Sequence, residues 1–135
     1  MGTSDRVEAR RKLLLILLPM LGTVLIQRLY LHLIPIRHVV VAGHLVHHLY
    51  TGVLIVIPAA YVFAFNVRNR SLTRLARVAL GVGSGMVLDE VSYLVVTQAT
   101  DADYRSPESL GGAVVLITLA TALLLALYRF HRDEA

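Results

Sequence analysis

The chain has 135 residues, 56% of them hydrophobic and only 16% charged, which is too apolar for an ordinary soluble domain and predicts a single membrane domain. Cysteine is absent, so disulfides, thiolate metal centres and cysteine nucleophiles are excluded. The net charge of +4 lies beside apolar runs without the aromatic interleaving of a base-stacking surface, so nucleic acid is not an expected partner.

Four transmembrane helices are predicted, at about 13–34, 39–65, 75–96 and 110–129, in an all-α, up-down-up-down four-helix bundle. The first follows Arg6, Arg10, Arg11 and Lys12. It has no small-x-small cleavage site and runs on through Gln27 and Arg28, so it is read as a retained helix mildly kinked at Pro19. The second contains Pro58, and the third opens with Gly81, Gly83 and Gly85, a helix-packing pattern without the Lys-Ser/Thr ending of a phosphate loop. Before the fourth, Ser106-Pro107-Glu108 reads as an N-cap, a first-turn proline and an acid suited to the helix dipole.

Lysine and arginine are distributed unevenly. Four precede the first helix, four (Arg68, Arg70, Arg74 and Arg77) join the second to the third, and two (Arg129 and Arg132) follow the fourth, whereas the other two loops hold only Arg37 and Arg105. The positive-inside rule therefore places both termini and the arginine loop in the cytoplasm, with the chain in the inner membrane. The arginine loop is a topology signal first and an anionic-lipid contact second.

With that orientation, a rise of about 1.5 Å per residue brings His44, His47 and His48 of the second helix to the same outer-half depth as Asp89 and Glu90 of the third. On a continuous helix the three imidazoles fall within an arc of about 100° and face one neighbour. Adjacent carboxylates at mid-membrane cost about 2.5 to 3.5 kcal/mol each on insertion scales, so they are expected to point inward, to a cation or to trapped water. His44, His47, His48, Asp89 and Glu90 are accordingly the candidate ligands of a metal, with zinc or iron matching their nitrogen and oxygen donors. Glu90 or Asp89 would serve as base, and Arg28 or Tyr93 as oxyanion stabiliser, in a metal-dependent hydrolase or oxidase acting on a lipid or other membrane-embedded substrate. Neither HExxH nor a pair of Glu-x-x-His motifs occurs.

Other readings use the same residues. Arg28 can pair with the two acids, relayed by Tyr93, as a lock in a structural membrane subunit. The polar cluster can also be a proton or cation path, which for four short spans requires a homo-oligomer. His32 with His44 or His48 could ligate haem b, although the double acid argues against a buried porphyrin. Asp101, Asp103 and Glu108 are expected to be a solvated loop, with Asp103-Tyr104 as an alternative lid, and the fourth helix a lipid-facing wall.

HHLYTG, with His47, His48 and Gly52, is followed in the next span by Leu88-Asp89-Glu90. With the DADYRSPES loop beyond, this pattern resembles small four-span prokaryotic integral membrane proteins from about the second helix onward. The resemblance implies the four-helix architecture and this site, and supplies no substrate.

Overall fold

The computed structural model describes residues 3–33, 40–41, 44–45, 47–98 and 103–134, with side chains for 6–33, 47–98 and 103–130. Four helices dominate: α1 (Thr3–Leu33), α2 (His48–Ala64), α3 (Arg70–Val96) and α4 (Pro107–Glu134). A 3-10 turn, Asp103–Arg105, precedes α4. β1 (Val40–Val41) and β2 (His44–Leu45) pair antiparallel, Val40 opposite Leu45 and Val41 opposite His44.

The helix expected over 39–65 is therefore corrected to His48–Ala64, because Val40, Val41, His44 and Leu45 are extended. Three successive β-branched valines followed by Gly43 favour that pairing over a helix, despite the run's hydrophobicity. The other helices are longer than their apolar cores. α1 begins near the terminus, within the charged segment, and α3 begins at Arg70 behind Asn69, whose side chain accepts from the Ser71 and Leu72 amides at 3.0 Å each. Asn66 makes the preceding turn at φ 48, a conformation asparagine tolerates well. α1 and α2 remain continuous helices through Pro19 and Pro58.

α3 is the central helix, packed against each of the other three, while α1 and α4 also touch each other. Its glycines allow this. A Cβ at Gly81 would collide with the Ile16 carbonyl oxygen and one at Gly85 would lie 2.6 Å from that of Met20, so α1 approaches α3 nearly backbone to backbone, and in parallel. Gly83 meets Gly52 of α2 in the same way, with α2 antiparallel, as Glu90 beside Leu49 and Arg77 beside Phe63 confirm at the two ends. Ser92 packs on Ser109 and Gly112 at the start of α4, and helix directions alternate along the chain.

The interior is small and polar, while the exterior is apolar. Asp89, Glu90, Ser92 and Ser109 are buried with several glycines and alanines and with Met20, Leu31, Tyr93 and Tyr104, whereas Leu25, Leu54, Leu119 and Leu123 are at least 60% exposed. This reverses the pattern of a water-soluble protein. Three helices, Arg6–Leu33, Arg70–Val96 and Pro107–Phe130, are long and apolar enough to cross a membrane, and α2 is a shorter apolar helix.

Gly83→Ala places its new methyl 2.7 Å from both the Gly52 carbonyl oxygen and Val56 Cγ2, so α2 and α3 must separate. The expected cost is about 1–3 kcal/mol of overpacking. Gly22→Ala, with no atom within 4 Å of its new methyl, should leave stability equal or higher; thermal unfolding of both variants in one detergent checks the contrast.

Candidate functional site

Asp89 and Glu90 are consecutive on α3, so their side chains leave the helix about 100° apart. Both are buried, at 1% and 4% exposure, and each finds a different environment.

Asp89 faces α1 and the segment leading into α4. Arg28 donates from Nε to Asp89 Oδ1 at 2.6 Å, and the Tyr104 hydroxyl donates to Oδ2. The remaining guanidinium nitrogens are also committed, Nη1 to the Tyr104 carbonyl at 2.8 Å and Nη2 to Ser109 Oγ at 3.2 Å and the Ser109 carbonyl at 3.4 Å. The Arg28 guanidinium lies 4.4 Å from the Tyr104 ring centroid. Ser92 Oγ donates to the Ser109 carbonyl at 2.7 Å, and the Tyr93 ring meets Tyr104 edge-on at 5.3 Å. Arg105 Nη2 donates to the Leu31 carbonyl at 2.8 Å, satisfying one of the carbonyls that the end of α1 leaves open. Burial, followed by the charge and hydrogen bond of Asp89, pushes the Tyr104 hydroxyl well above the ordinary tyrosine range, so it stays a donor.

Glu90 faces α2. Its Oε2 accepts from the Leu49 amide at 2.5 Å, and its Oε1 lies 2.7 Å from His47 Nδ1. His48 Nδ1 is 3.8 Å from Oε2. His47 is the N-cap of α2, extended at φ −77 and ψ 149, and its own side chain caps nothing; no acid occupies the first turn. A carboxylate from another helix thus supplies the hydrogen-bond acceptor and negative charge that this helix start lacks.

Several expectations are corrected by this geometry. His44, His47 and His48 do not share a helix face, since His44 is in β2, His47 is the N-cap and His48 opens the helix. The His44 side chain lies outside the described residues. Asp89 and Glu90 are divided between two sites, because consecutive helix positions diverge. Among the described residues no group of three or more histidine and acidic side chains is arranged to hold a metal. Arg28 uses all three of its nitrogens on protein acceptors, Asp89, Tyr104 and Ser109. Tyr104, which the sequence places in a loop, hydrogen-bonds Asp89, and the Tyr93 ring packs edge-on against that of Tyr104. His32 is exposed on α1, apart from these groups. Ser109 escapes a sequence reading because it binds Arg28 partly through its carbonyl, which any residue carries.

The chain matches no family in a scan of protein-family models, no curated protein and no solved structure.

Asp89→Asn leaves Arg28, itself only 15% exposed, without its counter-charge and should cost about 3–5 kcal/mol. Tyr104→Phe removes one buried hydrogen bond, at about 1–3 kcal/mol. Because both act on Asp89, the double variant should be markedly less destabilised than the two single losses added together, which a double-mutant cycle in detergent measures directly.

Proposed function

We propose that this chain is an integral membrane protein of four inserted helices, with both termini cytoplasmic, whose working group is the His47–Glu90 dyad acting as an acid–base centre. The charge distribution of the loops supports the orientation. The 17 residues of α2 span about 25 Å, enough for a short fourth membrane helix. The Arg28–Asp89–Tyr104 group is the structural lock that holds the helices around the dyad.

The observation that carries this reading is the 2.7 Å contact between His47 Nδ1 and Glu90 Oε1. A carboxylate only accepts, so the imidazole presents its N–H from Nδ1 and keeps its lone pair on Nε2. An acidic partner on Nδ1 fixes the tautomer and orients the ring with Nε2 free, the arrangement used by carboxylate–histidine general bases. The His47 side chain is 27% exposed and the Glu90 side chain 5%, so the imidazole connects a buried charge to the outside. A base placed there would take a proton from water or from a polar group of a lipid or other substrate arriving at that end of the bundle.

The adjacent His48 favours a second use of the same lone pair. Nε2 of His47 would be a zinc or iron ligand, with Glu90 supporting the ring instead of binding the ion itself.

Nitrogen NMR of histidine-labelled protein in micelles tests the dyad. Neutral His47 should carry its proton on Nδ1 in the wild type and shift toward the Nε2-protonated form in Glu90→Ala. The Nε2 form in the wild type, or an unchanged spectrum in a folded Glu90→Ala, would overturn it. Elemental analysis and proton flux in liposomes on the same two proteins separate the uses. Metal lost with Glu90 selects the ligand role, flux lost with Glu90 a proton path, and neither the base.

A further inference from the structure

At the end of the bundle that carries both termini, α1 and α3 enclose a cavity of about 390 Å³, within the range of small-molecule sites. Its polar lining includes Arg11, Lys12, Arg70, Thr73, Arg74 and Arg77. The placement follows from helix geometry. Arg70, Arg74 and Arg77 stand at i, i+4 and i+7 on α3, and Glu8, Arg11, Lys12 and Leu15 form a matching row on α1. The parallel contact through Gly81 and Gly85 lays these rows side by side.

Five cations around one cavity repel one another, and like charges a turn apart already oppose helix formation. Glu8, which also lines the cavity, offsets part of this charge: its Oε1 bridges Lys12 Nζ at 3.1 Å, and its carboxylate feels Arg70 and Arg77 as well. Among the described residues, Arg11, Arg70, Arg74 and Arg77 make no direct ion pair with a carboxylate, and the cavity keeps an excess of positive charge. Arg77 is steadied against α2, its guanidinium 5.7 Å from the Phe63 ring centroid. Topology requires positive charge on this side of the membrane, but it does not require the charges to converge on a cavity from two helices.

We propose that this cavity binds a multiply charged phosphate group. Guanidinium groups match phosphate oxygens in paired hydrogen bonds, and the Thr73 hydroxyl supplies a neutral donor. Leu15 and Val7 add an apolar part to the lining, suited to the glycerol and upper acyl region of a phospholipid, although a soluble phosphate offers the same charge. The site is independent of the His47–Glu90 dyad and shares no residue with it.

Thermal unfolding of the full chain in a neutral detergent tests the site, with inorganic pyrophosphate, phosphatidic acid or phosphatidylcholine added. The wild type should gain several degrees with pyrophosphate or phosphatidic acid and nothing with phosphatidylcholine. The gain should vanish in Arg74→Gln with Arg77→Gln and persist in Arg68→Gln with Arg129→Gln, which removes equal charge outside the cavity. A gain with phosphatidic acid alone assigns a lipid, and a gain with pyrophosphate a soluble phosphate. If the first pair fails to fold, Arg11→Gln replaces it. No gain with either phosphate, an equal gain with sodium chloride at matched ionic strength, or equal loss in both variant pairs would overturn the proposal.

Discussion

Two adjacent carboxylates buried on one helix impose the constraint from which the rest of the arrangement follows. Asp89 and Glu90 cannot share a partner, because successive residues of a helix point about 100° apart, and neither can face lipid without a large penalty. α3 must therefore be covered on two sides at the same level. On one side a guanidinium and a phenol answer Asp89, and on the other the open start of a helix answers Glu90. That requirement accounts for α3 being the helix packed against all the others.

Bringing partners so close to α3 depends on residues without bulk. Gly81 and Gly85 let α1 descend until its carbonyls nearly touch α3, which gives Arg28 a fixed position beside Asp89 on the same parallel interface. Gly52 and Gly83 do the same for α2, whose first turn then reaches Glu90. In a hydrocarbon environment there is little hydrophobic gain from pressing leucines together, so close backbone approach and buried hydrogen bonds supply the cohesion. Most leucines are accordingly on the outside, while Asp89, Glu90, Ser92 and Ser109 lie within.

The parts legible in the sequence were those governed by composition and by one-dimensional spacing. Four helices, the small-residue face of α3 and the meeting of Arg28 with an acid follow from hydropathy and rise per residue. The start of α2 was not legible, because residues 39–65 are apolar but for their histidines and a threonine, and hydropathy does not distinguish a β-branched extended segment from a helix. Tyr104 and Ser109 were obscured for another reason. Their roles depend on how the segment between α3 and α4 folds back, and Arg28 binds them partly through carbonyl oxygens that carry no sequence signal. The glycines of α3 pack against neighbouring helices, as their place within a span predicts, and form no phosphate loop.

The boundary of α2 and the chemistry of Glu90 are the same fact seen from two sides. A helix that begins at His48 leaves amides open at its first turn: the His47 carbonyl takes the Tyr50 amide at 3.0 Å, but neither the His47 side chain nor any first-turn acid caps the others. Glu90 does so from α3, and the same carboxylate then orients the His47 ring. The pair is therefore held by backbone structure on both sides, its carboxylate rooted in the central helix and its imidazole in the cap of the next. Glu90 thus joins the His47 ring through one oxygen and the first turn of α2 through the other, so a change in that one carboxylate acts on both.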